Sequence, residues 1–97
     1  MLPLENKIVI ATQMLAKSRA EDRPQILKSI YERFGLDCEV IYIQALSDTN
    51  NQMRISAINI LADLLQENSI KYVEKHKEDK SFWVRRAVKK CYKKLDK

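Results

Sequence analysis

A chain of 97 residues with one glycine, Gly35, and two prolines has few ways to turn. Sandwiches and barrels need many tight turns, and those turns draw on Gly, Pro and Asn. Phosphate-cradling loops need clustered glycines that let the backbone approach the ligand. Both classes are excluded on this count. What remains is an all-α protein with short connections capped by polar side chains. Apolar residues make up 45% and charged residues 32% of the chain, enough for one core and too apolar for disorder.

The 3.6-residue period predicts six helical segments. The first covers residues 4–17, with Ile8, Val9, Ala11, Thr12 and Leu15 on one face. The second begins after Asp22 as N-cap, has Pro24 in its first turn and carries Leu27, Ile30, Tyr31 and Phe34. Gly35 sits where a left-handed residue closes a helix. Residues 37–46 include Val40, Ile41 and Ile43, for which a strand is the local competitor. A lone strand has nothing to pair with, so a helix is expected. Residues 50–66, 69–76 and 81–95 complete the set. The last places Val84, Ala87, Val88, Cys91 and Leu95 on one side.

Shifting the fourth segment by 31 residues lays it on the sixth. Asp48 falls on Asp79, Met53 on Val84, Arg54 on Arg85, Ala57 on Val88 and Leu64 on Leu95, with Leu61 loosely on Tyr92. A fixed-period match across helical hairpins marks a stacked array. The pattern resembles the short variety of the HEAT-like helical repeat family. That resemblance implies a short right-handed α-solenoid of three antiparallel helix pairs in a single domain. Residues 1–35 are then a diverged capping pair, and 37–66 and 69–97 are repeats. In the first pair, Asp22, Leu27 and Lys28 fall at the Asp, apolar and basic offsets. The resemblance further implies that Asp48, Arg54, Asp79 and Arg85 are structural, the aspartates capping second helices and bonding arginines between repeats. The string Phe82-Trp83-Val84-Arg85-Arg86-Ala87 is also similar to a segment of DNA-alkylation-repair glycosylases, themselves HEAT-like. That likeness covers six residues and is read as the repeat motif.

Charge is distributed unevenly. Residues 1–70 hold seven Lys/Arg against nine Asp/Glu, while residues 71–97 hold eleven against four. The last helix presents Arg86, Lys90, Lys93 and Lys97 on one face, flanked by Lys89 and Lys94. Two readings compete there: a solvated end-cap, or a face for an anionic partner. Phe82 and Trp83 open this helix, and a core or staple role for them is expected over base stacking.

No catalytic constellation can be nominated. His76 is the single histidine and reads as a solvated residue in a charged turn. Cys38 and Cys91 are too few for a disulfide scaffold or a closed zinc site, and Cys91 reads as core. The first residues lack the basic and apolar regions of a secretory signal, and no apolar run approaches a membrane span. The expectation is a cytoplasmic, non-catalytic protein–protein interaction or scaffold module. It would take no cofactor, metal, membrane or small-molecule substrate. A protein partner or a second copy would be held on a concave surface made by the second helices. Candidate contacts are Arg86, Lys89, Lys90, Lys93 and Lys94, with Asn50, Asn51, Asn59 and Asp63. The alternative is nucleic-acid binding through the basic last helix.

Overall fold

The computed structural model describes residues 3–95. They form six α-helices: α1 (Leu4–Lys17), α2 (Arg23–Phe34), α3 (Glu39–Ala45), α4 (Asn51–Leu64), α5 (Glu67–Glu74) and α6 (Phe82–Leu95). Short 3-10 turns, Ala20–Asp22 and Gly35–Cys38, lead into α2 and α3. There is no strand among the described residues. The β-branched run Val40–Ile43 is helical because Ile41, Tyr42 and Ala45 bury together at helical spacing.

Helix α4 is the centre of the molecule. It packs against α2, α3, α5 and α6, while α1 packs against α2 and α3. Seven of its fourteen residues are buried, from Met53 to Ala62. The core runs from Ala11, Leu27 and Ile30 through Tyr42, Ile58 and Leu61 to Val73, Val84, Val88 and Cys91. Both cysteines are free and fully buried, and burial pushes each thiol above its ordinary pKa. Cys91 is thus a small core residue, as is Cys38. Val9 and Leu95, expected on the apolar faces of α1 and α6, turn outward instead, at 53% and 42% exposure. Met14, on the opposite flank of the α1 face, packs against the core, and Ser69 is buried on α5.

The helix ends show how one glycine suffices. Asn50 is the N-cap of α4, its Oδ1 accepting from the Gln52 N–H at 2.8 Å. Ser81, 31 residues on, accepts from the Val84 N–H at 3.4 Å. Asp22 stands at the N-cap position of α2 but makes no side-chain cap bond, because the preceding 3-10 turn feeds directly into the helix. α4 ends on Leu65 in the left-handed region (φ 51°, ψ 36°), so a leucine closes it where glycine is usual. Gly35 has φ 55° and ψ −133°, which is outside the left-handed helical well and open almost only to glycine. Its carbonyl accepts the Tyr42 hydroxyl at 2.7 Å, which pins this turn onto α3.

An added Cβ at Gly35 meets no atom within 4 Å, so strain there is purely conformational. Gly35→Ala should therefore cost about 1–3 kcal/mol. Urea unfolding followed by circular dichroism checks this. A change below about 0.5 kcal/mol would show that the turn relaxes to another backbone conformation.

Candidate functional site

Two features carry the repeated sequence pattern into space: a set of arginine–aspartate bonds between turns, and the outer surface of α6. Arg54 lies in the first turns of α4 and is only 5% exposed. Its Nε and Nη2 donate to the two carboxylate oxygens of Asp79 at 3.0 and 3.1 Å. Its Nη1 donates to the Asp48 and Thr49 carbonyls at 2.9 and 3.2 Å, and Nη2 also donates to Asn51 Oδ1 at 2.5 Å. All the guanidinium nitrogens are thus occupied, as a buried charge requires.

Asp79 gathers several donors. Oδ1 accepts from the Ser81 N–H at 2.9 Å, and Oδ2 lies 3.2 Å from His76 Nδ1. Burial alone would raise the Asp79 pKa. The bonds from Ser81, Arg54 and His76 outweigh burial and hold the carboxyl at about 2. His76 is therefore a part-buried member of this network and not a freely solvated residue. Asp48 repeats the turn geometry, its Oδ1 accepting from the Asn50 N–H at 2.9 Å. The aspartates bond the N–H of the capping residue, two positions on. The caps themselves are Asn50 and Ser81.

Asp48 pairs with Arg23 at 2.8 Å, the first member of a series at 23, 54 and 85. Sequence reasoning missed Arg23 because it aligned the first pair on Asp22 and Lys28. The 31-residue shift applied backward from Arg54 finds it. Arg85 copies half of the Arg54 arrangement: its Nη1 donates to the Asp79 carbonyl at 2.6 Å, as Arg54 does to the Asp48 carbonyl. Among the described residues it has no carboxylate partner.

The expected basic face divides on inspection. Arg86, Lys89, Lys90 and Lys93 are exposed and make no ion pair among the described residues. Lys94 donates to Asp63 at 2.6 Å, a bond that raises the Lys94 pKa, so both are already partnered. Asn50 and Asn51 are likewise engaged in capping and in holding Arg54. Asn59 remains available. Lys97 lies outside the described residues.

Phe82 and Trp83 both point outward, at 56% and 59% exposure, against the expected core or staple role. The reason is spacing: Val84, Ala87, Val88 and Cys91 fill the buried stripe, and residues 82 and 83 fall outside it. The two rings meet edge to face with centroids 5.2 Å apart. The Arg86 guanidinium lies 5.8 Å from the Trp83 ring centroid. Trp83, Arg86, Ala87 and Lys90 of α6 face Gln52, Ile55 and Asn59 of α4 across an open groove of about 470 Å³. No His, Cys, Asp and Glu cluster suited to a metal ion occurs among the described residues. No helix among them is long and apolar enough to cross a membrane. Comparisons with known protein families, curated proteins and solved structures found no match for the chain.

The buried pair makes two predictions. Arg54→Ala leaves Asp79 without its main partner and should cost about 3–5 kcal/mol in denaturant unfolding. Asp79 sits lower when folded than its ordinary 3.8, so its stabilisation is complete above that value and is lost as pH falls through about 2. Wild-type stability should fall by on the order of 2 kcal/mol from this group between about pH 4 and pH 2. Asp79→Asn should flatten that part of the profile. An unchanged slope would mean the network does not form in solution.

Proposed function

We propose that the chain is a non-catalytic interaction module of the short HEAT-like type. In this reading its helix pairs α1–α2, α3–α4 and α5–α6 stack as a short right-handed α-solenoid. The packing of α4 against both α2 and α6, and arginines at 23, 54 and 85 bonding turns of fixed spacing, support that arrangement. The second helices then form the working surface. The partner is a protein with acidic side chains, held in the groove between α4 and α6. Two free, buried thiols suit a reducing compartment such as the cytoplasm.

One observation carries this reading. A solvent-exposed tryptophan stands beside Arg86 and Lys90 in a groove walled by Ile55 and lined by the amides of Gln52 and Asn59. Trp and Arg together form the commonest energetic anchors of protein interfaces. Burying an exposed ring supplies area, and the flanking cations select for carboxylates. A nucleic-acid reading draws on the same surface, since exposed aromatics beside unpaired cations also take stacked bases and phosphates.

Trp83 is the chain's single tryptophan, so its emission reports directly on this groove. Titration with an acidic polypeptide at low salt should shift the emission to shorter wavelength. Arg86→Glu with Lys90→Glu should weaken that binding by about tenfold or more. The same titration with single-stranded oligo(dT) separates the readings. A tighter, steeply salt-dependent response to the oligonucleotide would favour nucleic acid. No change in emission with either probe would remove the groove as a binding surface.

A further inference from the structure

We infer that Arg85, Lys89 and Lys93 form an end-face docking row for an acidic helical partner, which stacks on α6 beyond the groove. Three residues four apart on each second helix define the row. On α2 they are Arg23, Leu27 and Tyr31; on α4, Arg54, Ile58 and Ala62; on α6, Arg85, Lys89 and Lys93. Residues four apart share one helix face. On α4 this stripe is buried, Ile58 at 0% and Ala62 at 4%, and its arginine reaches into the turn that precedes α6. Leu27 is buried on α2, whose Arg23 reaches likewise to Asp48. In both cases the arginine takes the carboxylate found 25 residues later, and the apolar pair behind it is covered.

On α6 the row keeps its arginine and changes everything else. Arg85 is anchored to the Asp79 carbonyl at 2.6 Å, with its ring neighbour Phe82 at 5.9 Å. The guanidinium thus repeats the one carbonyl contact by which Arg54 Nη1 holds Asp48, and it has no carboxylate partner among the described residues. The apolar pair is replaced by two exposed lysines. With Lys77, Phe82, and the Arg86 and Lys90 that it shares with the groove, the row lines an open hollow of about 500 Å³.

Lysines at both positions rule out another apolar repeat as the occupant. The complementary surface is a helix with carboxylates at successive four-residue positions, led by an aspartate that faces Arg85. Arg85 makes the choice between carboxylate and a diffuse anion, because a fixed planar fork matches a carboxylate in two bonds. A second copy of this chain offers no such face. Its α5 carries Glu67 and Glu74 seven apart with Lys71 between them, no described helix holds carboxylates at successive four-residue positions, and Asp48, Asp63 and Asp79 are already paired.

The test uses the full chain and a synthetic helix of about 18 residues, long enough to hold helical structure in water. The helix carries an N-terminal aspartate and glutamates at every fourth position. A control peptide of the same composition spreads the glutamates around the helix. Fluorescence anisotropy of the labelled peptides at low salt reads affinity. The in-register peptide should bind more tightly than the control. Arg85→Lys, which keeps the charge and loses the fork, should weaken it about tenfold or more. Lys89→Ile with Lys93→Ala restores the residues α4 carries, so the fold is kept, and it should weaken binding to a similar extent. Equal binding of the two peptides would overturn the proposal, as would wild-type affinity in Arg85→Lys. Losses seen only in Trp83→Ala, which lines the groove and not this hollow, would leave the groove reading standing and this one refuted. An oligo(dT) probe that shows the end-row losses while the peptide does not would assign the row to nucleic acid instead.

Discussion

A guanidinium buried to 5% exposure is the constraint on which the rest of the arrangement rests. Removing such a charge from water costs several kcal/mol, which only complete hydrogen bonding can offset. Arg54 has five N–H donors, and five acceptor contacts surround it, drawn from the turn before α4 and the turn before α6. The carbonyls of Asp48 and Thr49 fix the guanidinium relative to its own hairpin. The Asp79 carboxylate fixes the next hairpin relative to the guanidinium. Apolar packing between α4 and α6 tolerates some sliding, since Ile, Val and Ala exchange contacts at modest cost. A bidentate pair with all donors filled does not. The register between neighbouring hairpins is therefore set by the polar network, and the apolar stripes supply the driving force around it.

That division of labour sets which side chains of α6 reach solvent. With Val84, Val88 and Cys91 turned inward by the register, Trp83, Arg86 and Lys90 face the groove beside α4. Lys89 and Lys93 are exposed, while Arg85 is half-buried with its Nη1 on the Asp79 carbonyl. The exposure of Phe82 and Trp83 follows from the same phase, because Ser81 caps the helix one residue before them and leaves no turn in which they could reach the core. The make-up of this surface is thus a consequence of where the Arg54–Asp79 bond sets α6.

The helical class, the six segments and the 31-residue pattern were legible because they rest on periodicity and on the scarcity of turn formers. Asp79 with Arg54 was legible because both residues recur at fixed spacing. What escaped the sequence depended on three-dimensional competition. Asp22 has a good capping side chain, yet a 3-10 turn made its cap bond unnecessary. His76 looked solvated until the turn folded back on Asp79. Lys94 belonged to a continuous basic face until Asp63, on another helix, claimed it. Val9 lies off the stripe that Ile8, Ala11 and Leu15 turn to the core, and Met14 packs there from the opposite flank. Arg23 was within reach of pattern reasoning alone, and only the choice of anchor residue hid it.

The charge on α6 bears on whether its surface is merely solvated. Arg85 and Lys89, Arg86 and Lys90, and Lys89 and Lys93 are like-charged pairs four residues apart, each unfavourable by about 0.2–0.5 kcal/mol in an isolated helix. The helix dipole favours cations at the C-terminus, which accounts for Lys93 and Lys94. It disfavours them in the first turns, where Arg85 and Arg86 stand. Solubility at an end face needs polar residues and not a single sign of charge, and alternating Glu and Lys would meet it with stabilising pairs instead. A helix that retains same-sign pairs along its length carries an electrostatic cost, which an anionic partner of the kind proposed would relieve. The repulsion within α6 and the attraction proposed toward an acidic helix would be two sides of one charge distribution, which the buried Arg54–Asp79 pair turns toward solvent.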